Sequence, residues 1–139
     1  MTDAASAKAP VSNGLLIVVA EADEATRNSL KFALEAEGCS VAVFRDAAAL
    51  LAAPQSVVAG AYILDHHLPD MAGPTLLQTL REKGAKAPAL FLAGRVSPVL
   101  RRSAEILCAP VLLKPLMGDA LNVALNDLLA RPDKNHAKP

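Results

Sequence analysis

The stretch that decides the fold runs from residue 61 to residue 73 and reads AYILDHHLPDMAG. Its first four residues form a short apolar run, which indicates a β-strand covered on both faces, as in a parallel sheet. The run ends at a single acidic residue, Asp65, and a Pro- and Gly-containing loop follows. Because parallel α/β sheets bind ligands beyond the carboxyl ends of their strands, Asp65 is the first candidate for a functional side chain.

Four further strand patterns alternate with helical patterns along the chain. The predicted strands are 15–19, 40–44, 61–64, 89–93 and 111–113, and the predicted helices are 23–37, a short helix between Asp46 and Pro54, 74–83, 97–107 and 119–130. Ser, Asp, Pro and Gly stand at the ends of these helices, where they cap or terminate them. Five strand–helix units predict an α/β fold, a doubly wound five-stranded parallel sheet with five helices on its two faces. We expect the strand order 2-1-3-4-5 of a flavodoxin-like three-layer sandwich, one of the common orders of such sheets.

The composition agrees with one folded domain. The chain has 139 residues, of which 53% are hydrophobic and 20% are charged, and this lies outside the range of disordered proteins. The segments 1–13 and 131–139 have no apolar periodicity. We therefore predict a flexible N-terminal arm over 1–13, a single stand-alone domain over 14–130 and a flexible C-terminal tail over 131–139.

Charge and hydropathy argue against two classes of partner. The 14 Lys and Arg residues balance the 14 Asp and Glu residues, so no overall field favours nucleic acid, and we predict no nucleic-acid partner. The longest apolar run, 15–20, is too short to span a bilayer, and no signal-peptide pattern is present, so we predict no membrane association and a cytoplasmic location. Cys39 and Cys108 are predicted to be small buried side chains in a reducing compartment.

Ionisable residues stand at the carboxyl ends of three predicted strands. Glu21 follows the first strand, Asp65 closes the third and Lys114 follows the fifth. We expect these three strands to be adjacent, so that the side chains converge on one shallow pocket. There an Asp can act as a nucleophile toward a phosphoryl group, a second carboxylate can help to hold Mg²⁺, and a Lys can pair with a phosphate oxygen.

Each feature also has a simpler interpretation. An Asp at a strand end is often only a turn residue, and acidic residues before a helix often serve only as favourable charges at its N-terminus. Adjacent loop histidines such as His66 and His67 usually diverge, so we predict solvated side chains rather than a metal site. A flavodoxin-like cofactor binder would need a phosphate-cradling loop after the first strand, but residues 20–26 are acidic.

Over residues 14–130 the chain resembles the response-regulator receiver family. The stretch DHHLPDMAG at 65–73 is similar to the phosphoacceptor loop of that family, and VLLKPL at 111–116 is similar to its strand-5 Lys-Pro signature. Residues 16–30 resemble its first strand, acidic turn and first helix, with Arg27 in the usual place. The spacing between these segments also fits.

The resemblance implies a set of roles. Asp65 would be the phosphoacceptor and Lys114 the phosphate-contacting residue, and Mg²⁺ would be held by Glu21, Asp65 and the backbone carbonyl of His67. The implied partners are a histidine kinase or phosphotransfer protein and a downstream effector protein, and a homodimer through helix 4, strand 5 and helix 5 stays open as an alternative. A domain of this kind is a signalling module and not an enzyme in the turnover sense.

Three positions depart from the family pattern. Ala22 replaces the second acidic residue, which should weaken the Mg²⁺ site. Ala93 replaces the Ser or Thr whose hydroxyl moves toward the phosphoryl group and forms a hydrogen bond with it. Val111 replaces the strand-5 aromatic residue. Two functions therefore stay open: a phosphorelay receiver modified on Asp65, and an atypical receiver that binds partners without phosphorylation.

Overall fold

The computed structural model describes residues 14–130. The strands are β1 (Leu16–Ala20), β2 (Ser40–Phe44), β3 (Ala61–Asp65), β4 (Ala89–Ala93) and β5 (Val111–Leu113). The α-helices are α1 (Glu24–Ala36), α2 (Ala47–Ala52), α3 (Gly73–Glu82), α4 (Pro98–Leu107) and α5 (Ala120–Ala130), with a 3-10 helix at Pro54–Val57 that the sequence patterns did not predict. The predicted arm at 1–13 and tail at 131–139 lie outside the described residues.

The five strands form one parallel sheet in the order β2-β1-β3-β4-β5, which confirms the predicted fold. The expectation that the first, third and fifth strands are adjacent is wrong, because β4 lies between β3 and β5. Lys114 nevertheless approaches the end of β3, since its side chain is long enough to cross the end of β4.

Alternate residues of the strands feed two separate cores. Val18, Tyr62 and Phe91 belong to the core that also contains the buried leucines of α2, α3 and α4. Ile17 and Ile63 belong to the core that contains the buried leucines of α1 and α5. Because the inner strands β1, β3 and β4 are buried on both faces, their sequences are apolar runs rather than alternations, as a parallel sheet requires. The sheet is therefore the middle of three layers.

Local capping fixes the helix starts. The side chains of Asp23, Asp46 and Ser97 accept hydrogen bonds from backbone N–H groups of α1, α2 and α4, as predicted. The strand pattern placed β1 one residue too early, and the last helix begins at Ala120 rather than at 119. Helix and strand ends commonly differ by a residue or two because terminal hydrogen bonds are incomplete.

The two cysteines differ in their exposure. Cys39 is buried, as predicted, but Cys108 is exposed, so the prediction for it is wrong. Cys108 is the residue after α4 and has a φ of 56°, in the left-handed region. This position ends the helix at the surface, where a Gly or Asn is more usual, and apolar periodicity does not reveal it. Among residues 14–130, no helix has both the length and the apolarity needed to cross a bilayer.

Candidate functional site

Three side chains from three strand ends meet at the carboxyl edge of the sheet. The Nζ atom of Lys114 lies 2.9 Å from Oδ2 of Asp65 and 2.9 Å from Oε1 of Glu21. Glu21 is 1% exposed and Asp65 is 5% exposed, whereas the side chain of Lys114 is 26% exposed. The structure thus brings together the three residues that the sequence placed in one pocket, with one cation between two buried carboxylates.

The loop between β1 and α1 holds Glu21 from two sides. Oε2 of Glu21 accepts a hydrogen bond of 3.0 Å from the backbone N–H of Asp23. Asp23 itself caps α1, since its Oδ2 accepts from the backbone N–H and the hydroxyl of Thr26. The guanidinium of Arg27 donates to the backbone carbonyls of Glu21 and Ala22, at 3.0 and 3.1 Å. Arg27 therefore fixes the backbone of the acidic turn, a role that its position in the motif did not reveal.

The loop between β3 and α3 returns closely to the strand it leaves. The N–H of His67 donates to Oδ1 of Asp65 at 3.0 Å, and the N–H of Gly73 donates to the carbonyl of His66 at 2.9 Å. An isolated antiparallel bridge joins His67 to Ala72. A Cβ atom on Gly73 would lie 2.5 Å from the carbonyl oxygen of Asp65. Only glycine allows the start of α3 to approach the acidic residue this closely.

The two loop histidines do not form a metal site together. Their ring centroids are 6.1 Å apart with an interplanar angle of 49°. His67 is exposed, as predicted, but His66 is only partly exposed, and its Nδ1 atom is buried without a hydrogen-bond partner among the described residues. The prediction of a solvated side chain is therefore wrong for His66. Its backbone continues the β3 pairing, since its N–H donates to the carbonyl of Leu92.

Burial and charge act in opposite directions on the pKa values of Glu21 and Lys114, and both pKa values end above their ordinary values. Burial raises the pKa of Glu21 above its ordinary value, although the hydrogen bond from Lys114 and the N–H of Asp23 oppose this. Burial alone would lower the pKa of Lys114, but the hydrogen bonds and charges of Glu21 and Asp65 outweigh it and raise the pKa. Lys114 is thus a cation at neutral pH, and burial makes the Glu21 carboxyl easier to protonate than an ordinary glutamate.

The pocket has the donor set of a weak Mg²⁺ site. Oε1 of Glu21 is buried and makes no properly aligned hydrogen bond within residues 14–130, although Nζ of Lys114 lies 2.9 Å away. This oxygen pairs with the Lys114 ammonium, and it is a hard carboxylate oxygen of the type that Mg²⁺ uses, commonly from only one or two protein carboxylates. Ala22 offers no ligand, and the Asp23 carboxylate is already used to cap α1. Within the described residues, no group of three or more His, Cys, Asp and Glu side chains converges.

The two positions expected to carry switch residues lie in neighbouring strands, and only Ala93 is at the carboxyl edge of the sheet. Ala93 is the last residue of β4, is 2% exposed, and accepts a backbone hydrogen bond of 2.8 Å from Lys114. Val111 is the first residue of β5 and pairs with Phe91. Ala93 therefore stands next to the phosphate-contacting candidate but carries only a methyl group, which cannot donate a hydrogen bond.

Comparison with known proteins identifies the class of this fold and site. A family model described as the response regulator receiver domain matches residues 17–126. The match covers most of the chain, and the chain belongs to the response-regulator receiver family. Members of this family are signalling domains of two-component systems and generally bind Mg²⁺ at an acidic pocket.

Individual proteins resemble the chain over the same region. The transcriptional regulatory protein FixJ of Azorhizobium caulinodans is 30% identical over 84% of this chain and 56% of its own length. The transcriptional regulatory protein TrcR of Mycobacterium tuberculosis is 31% identical over 83% of this chain and 45% of its own length. The chain thus spans about half the length of these relatives. The chemotaxis protein CheY4 of Vibrio cholerae superposes with a TM-score of 0.76 at 22% identity, over 84% of this chain and all of CheY4, and this likeness concerns the fold.

Proposed function

We propose that this domain accepts a phosphoryl group on Asp65 from a histidine kinase or phosphotransfer protein and signals through contacts with other proteins. One observation carries the proposal: Nζ of Lys114 lies 2.9 Å from both buried carboxylates, those of Glu21 and Asp65. A structural ion pair needs only one carboxylate. Two buried acids that share one cation at the carboxyl edge of a parallel sheet, where such sheets bind ligands, are a candidate functional site, and the ammonium can pair with a phosphate oxygen.

Asp65, Lys114 and the backbone of His67 have different roles in the phosphoryl transfer. A carboxylate oxygen of Asp65 attacks the phosphorus of a phosphohistidine, a P–O bond forms, and the P–N bond breaks. The bonding electron pair leaves with the imidazole nitrogen, which takes up a proton. The ammonium of Lys114 pairs with a phosphoryl oxygen, and the N–H of His67, now bonded to Oδ1 of Asp65, helps to orient the attacking carboxylate.

Magnesium neutralises phosphate charge when it is bound at such a site. Glu21, Asp65 and the backbone carbonyl of His67 would hold it. The affinity of this chain for Mg²⁺ should be lower than that of other members of the family, because Ala22 supplies no oxygen and the Asp23 carboxylate caps α1 instead. We therefore propose a domain that requires high Mg²⁺ concentrations for efficient phosphorylation.

Radiolabelled acetyl phosphate tests the phosphoacceptor directly. We expect Mg²⁺-dependent labelling of the wild type that hydroxide removes, as it does for an acyl phosphate, and no labelling of Asp65→Asn. Glu82→Gln is the matched control, since Glu82 is an exposed acid at the last residue of α3, at the other end of that helix from the loop that follows Asp65. Equal labelling of Asp65→Asn and the wild type would contradict the proposal, as would a lack of labelling with every donor tested, including cognate kinases.

The surface formed by α4, β5 and α5 is the proposed contact surface. Large apolar side chains are exposed on all three elements: Val99, Ile106, Leu113 and Val123. Charged residues beside them could set the choice of partner: Arg101, Arg102, Glu105 and Asp127. The partner would be a downstream effector or a second copy of the chain. Sedimentation of the wild type and of Ile106→Ser with and without beryllofluoride would distinguish a second copy from an effector.

A second candidate function is favoured by Ala93. A buried methyl group next to Lys114 leaves the phosphoryl group without the hydroxyl contact that would stabilise an active conformation, and a ligand shifts two states only by differential contacts. A phosphorylation-independent interaction domain would keep its partner binding in Asp65→Asn. Retention of Glu21, Asp65 and Lys114 in one pocket supports the first proposal over this one.

The absence of enzymatic turnover, the lack of a nucleic-acid partner and the cytoplasmic location stay predictions.

A further inference from the structure

A long-range hydrogen-bonded contact ties the phosphoacceptor loop to a neighbouring helix. Oδ1 of Asp70 accepts from the backbone N–H of Ala47 at 3.0 Å, and Oδ2 accepts from that of Ala48 at 2.9 Å. Both N–H groups are in the first turn of α2, and the donors are more than twenty positions away in the sequence. Helix α2 has its own cap as well, since Oδ1 of Asp46 accepts from Ala49 at 2.8 Å. A second carboxylate at this helix start is more than local capping requires.

We propose that Asp70 is a positioning residue that holds the loop between β3 and α3 in the geometry needed at Asp65. The inference rests on the proposed function, because the loop carries the N–H and the carbonyl of His67. Asp70 itself is exposed and does not contact the site. It would act through the loop backbone.

The attachment points of the loop explain why Asp70 matters. The loop is fixed at its base by the bridge between His67 and Ala72 and by the approach of Gly73 to Asp65. The tip between them has Leu68, which is 6% exposed, as its apolar anchor. Apolar contact is non-directional and keeps Leu68 buried, whereas the two hydrogen bonds that Asp70 accepts from Ala47 and Ala48 are directional and fix the position of the tip relative to α2.

The carboxylate of Asp70 suits this role better than the side-chain amide of an asparagine would. Both oxygens of a carboxylate accept, so one side chain satisfies two successive N–H groups. The N–H groups of Ala47 and Ala48 also lower the pKa of the Asp70 carboxyl, which is thus ionised at neutral pH. In Asp70→Asn one acceptor becomes an NH₂ group that faces a backbone N–H. The Asn variant should therefore be intermediate between the wild type and Asp70→Ala.

Asp46→Ala provides a matched control. Asp46 and Asp70 cap the same six-residue helix, so either truncation should lower the denaturation midpoint to a similar extent. Only Asp70 is part of the loop that carries His67. An effect that follows helix stability alone will appear in both variants, and an effect on loop position will appear only in Asp70→Ala.

The experiment measures two properties of the full chain in both variants. Amide hydrogen exchange of His67 in the metal-free protein reports its hydrogen bond to Asp65, and Mg²⁺ titration followed by NMR reports the site. In Asp70→Ala we expect faster exchange at His67 and a Mg²⁺ Kd raised about tenfold, the usual cost of losing an outer support of a metal site. Asp46→Ala should match the wild type in both.

Equal behaviour of Asp70→Ala and Asp46→Ala in both measurements, or a wild-type exchange rate at His67 in Asp70→Ala, would overturn the inference. If the wild type itself shows no Mg²⁺ binding and no phosphorylation, the proposed function fails. The exchange rate at His67 then still decides whether Asp70 positions the loop, so the two failures are distinguishable.

Discussion

Replacement of Lys114 by Met removes the one cation between two buried carboxylates. Met keeps much of the length and apolar volume of the lysine stem, so the packing changes little. Glu21 and Asp65, which are 1% and 5% exposed, would then face each other without a compensating charge. Loss of one partner of a buried ion pair typically costs 3–5 kcal/mol, and the partial exposure of Lys114 favours the lower end. We therefore expect a loss of about 3 kcal/mol in the free energy of unfolding at neutral pH.

The loss should depend on pH in a defined sense. Burial raises the pKa of Glu21 in the folded state, so between its unfolded and folded pKa values the folded protein binds more protons than the unfolded protein. Stability from protonation of Glu21 therefore appears as the pH falls through the folded pKa. In Lys114→Met the ionised Glu21 has no cation beside it, so the loss relative to wild type is largest at neutral pH and becomes smaller in acid.

Urea denaturation in EDTA measures both effects. Lys31→Met is the matched control, because Lys31 pairs with Glu35 at 2.7 Å on α1 but both side chains are more than 40% exposed. Exposed pairs of this kind contribute only a few tenths of a kcal/mol, roughly 0.3–0.5. Addition of Mg²⁺ should restore more stability to Lys114→Met than to the wild type. A loss for Lys114→Met no larger than that for Lys31→Met, or a loss independent of pH, would refute this account of the pocket.

Three further perturbations test other parts of the structure. Tyr62→Phe leaves the Ser56 carbonyl without its hydroxyl donor and should lower the free energy of unfolding by about 1–3 kcal/mol. Burial also raises the pKa of Tyr62, so the stability of the wild type should fall as the pH rises above the pKa of Tyr62 in the unfolded chain, and this fall should be absent in the variant. Gly73→Ala places a Cβ 2.5 Å from the Asp65 carbonyl oxygen and should cost about 1–3 kcal/mol, with a weaker Mg²⁺ affinity in NMR titration; an unchanged affinity would show that the contact is not needed. Ala22→Asp adds a hard oxygen beside the pocket and should lower the Mg²⁺ Kd, whereas an unchanged Kd would contradict the role assigned to this position.

The fold was predictable because its determinants are local. Strands buried on both faces produce continuous apolar runs, and caps such as Asp46 and Ser97 mark helix starts within a few residues of the apolar periodicity. The exposure of Cys108 was not predictable, since it depends on a left-handed backbone conformation at the end of α4 that a Cys rarely adopts. The 3-10 helix at Pro54–Val57 likewise has no periodicity long enough to recognise.

The site was predictable only at the level of strand ends. The convergence of Glu21, Asp65 and Lys114 follows from the topology of a parallel sheet, although the adjacency expected for their strands was wrong. The hydrogen bonds between side chains and backbone groups could not be predicted. Arg27 donates to backbone carbonyls and Asp70 accepts from backbone N–H groups, and no spacing of residues in the sequence reveals these contacts.

A titration with beryllofluoride in the presence of Mg²⁺, followed by amide NMR, tests most directly whether the pocket binds a phosphoryl group. We predict shifts centred on residues 65–67 and 114 in the wild type and none of comparable size in Asp65→Asn. Spectra that do not change at these amides, or that change equally in both proteins, would contradict the claim that Asp65 and Lys114 form a phosphoryl site.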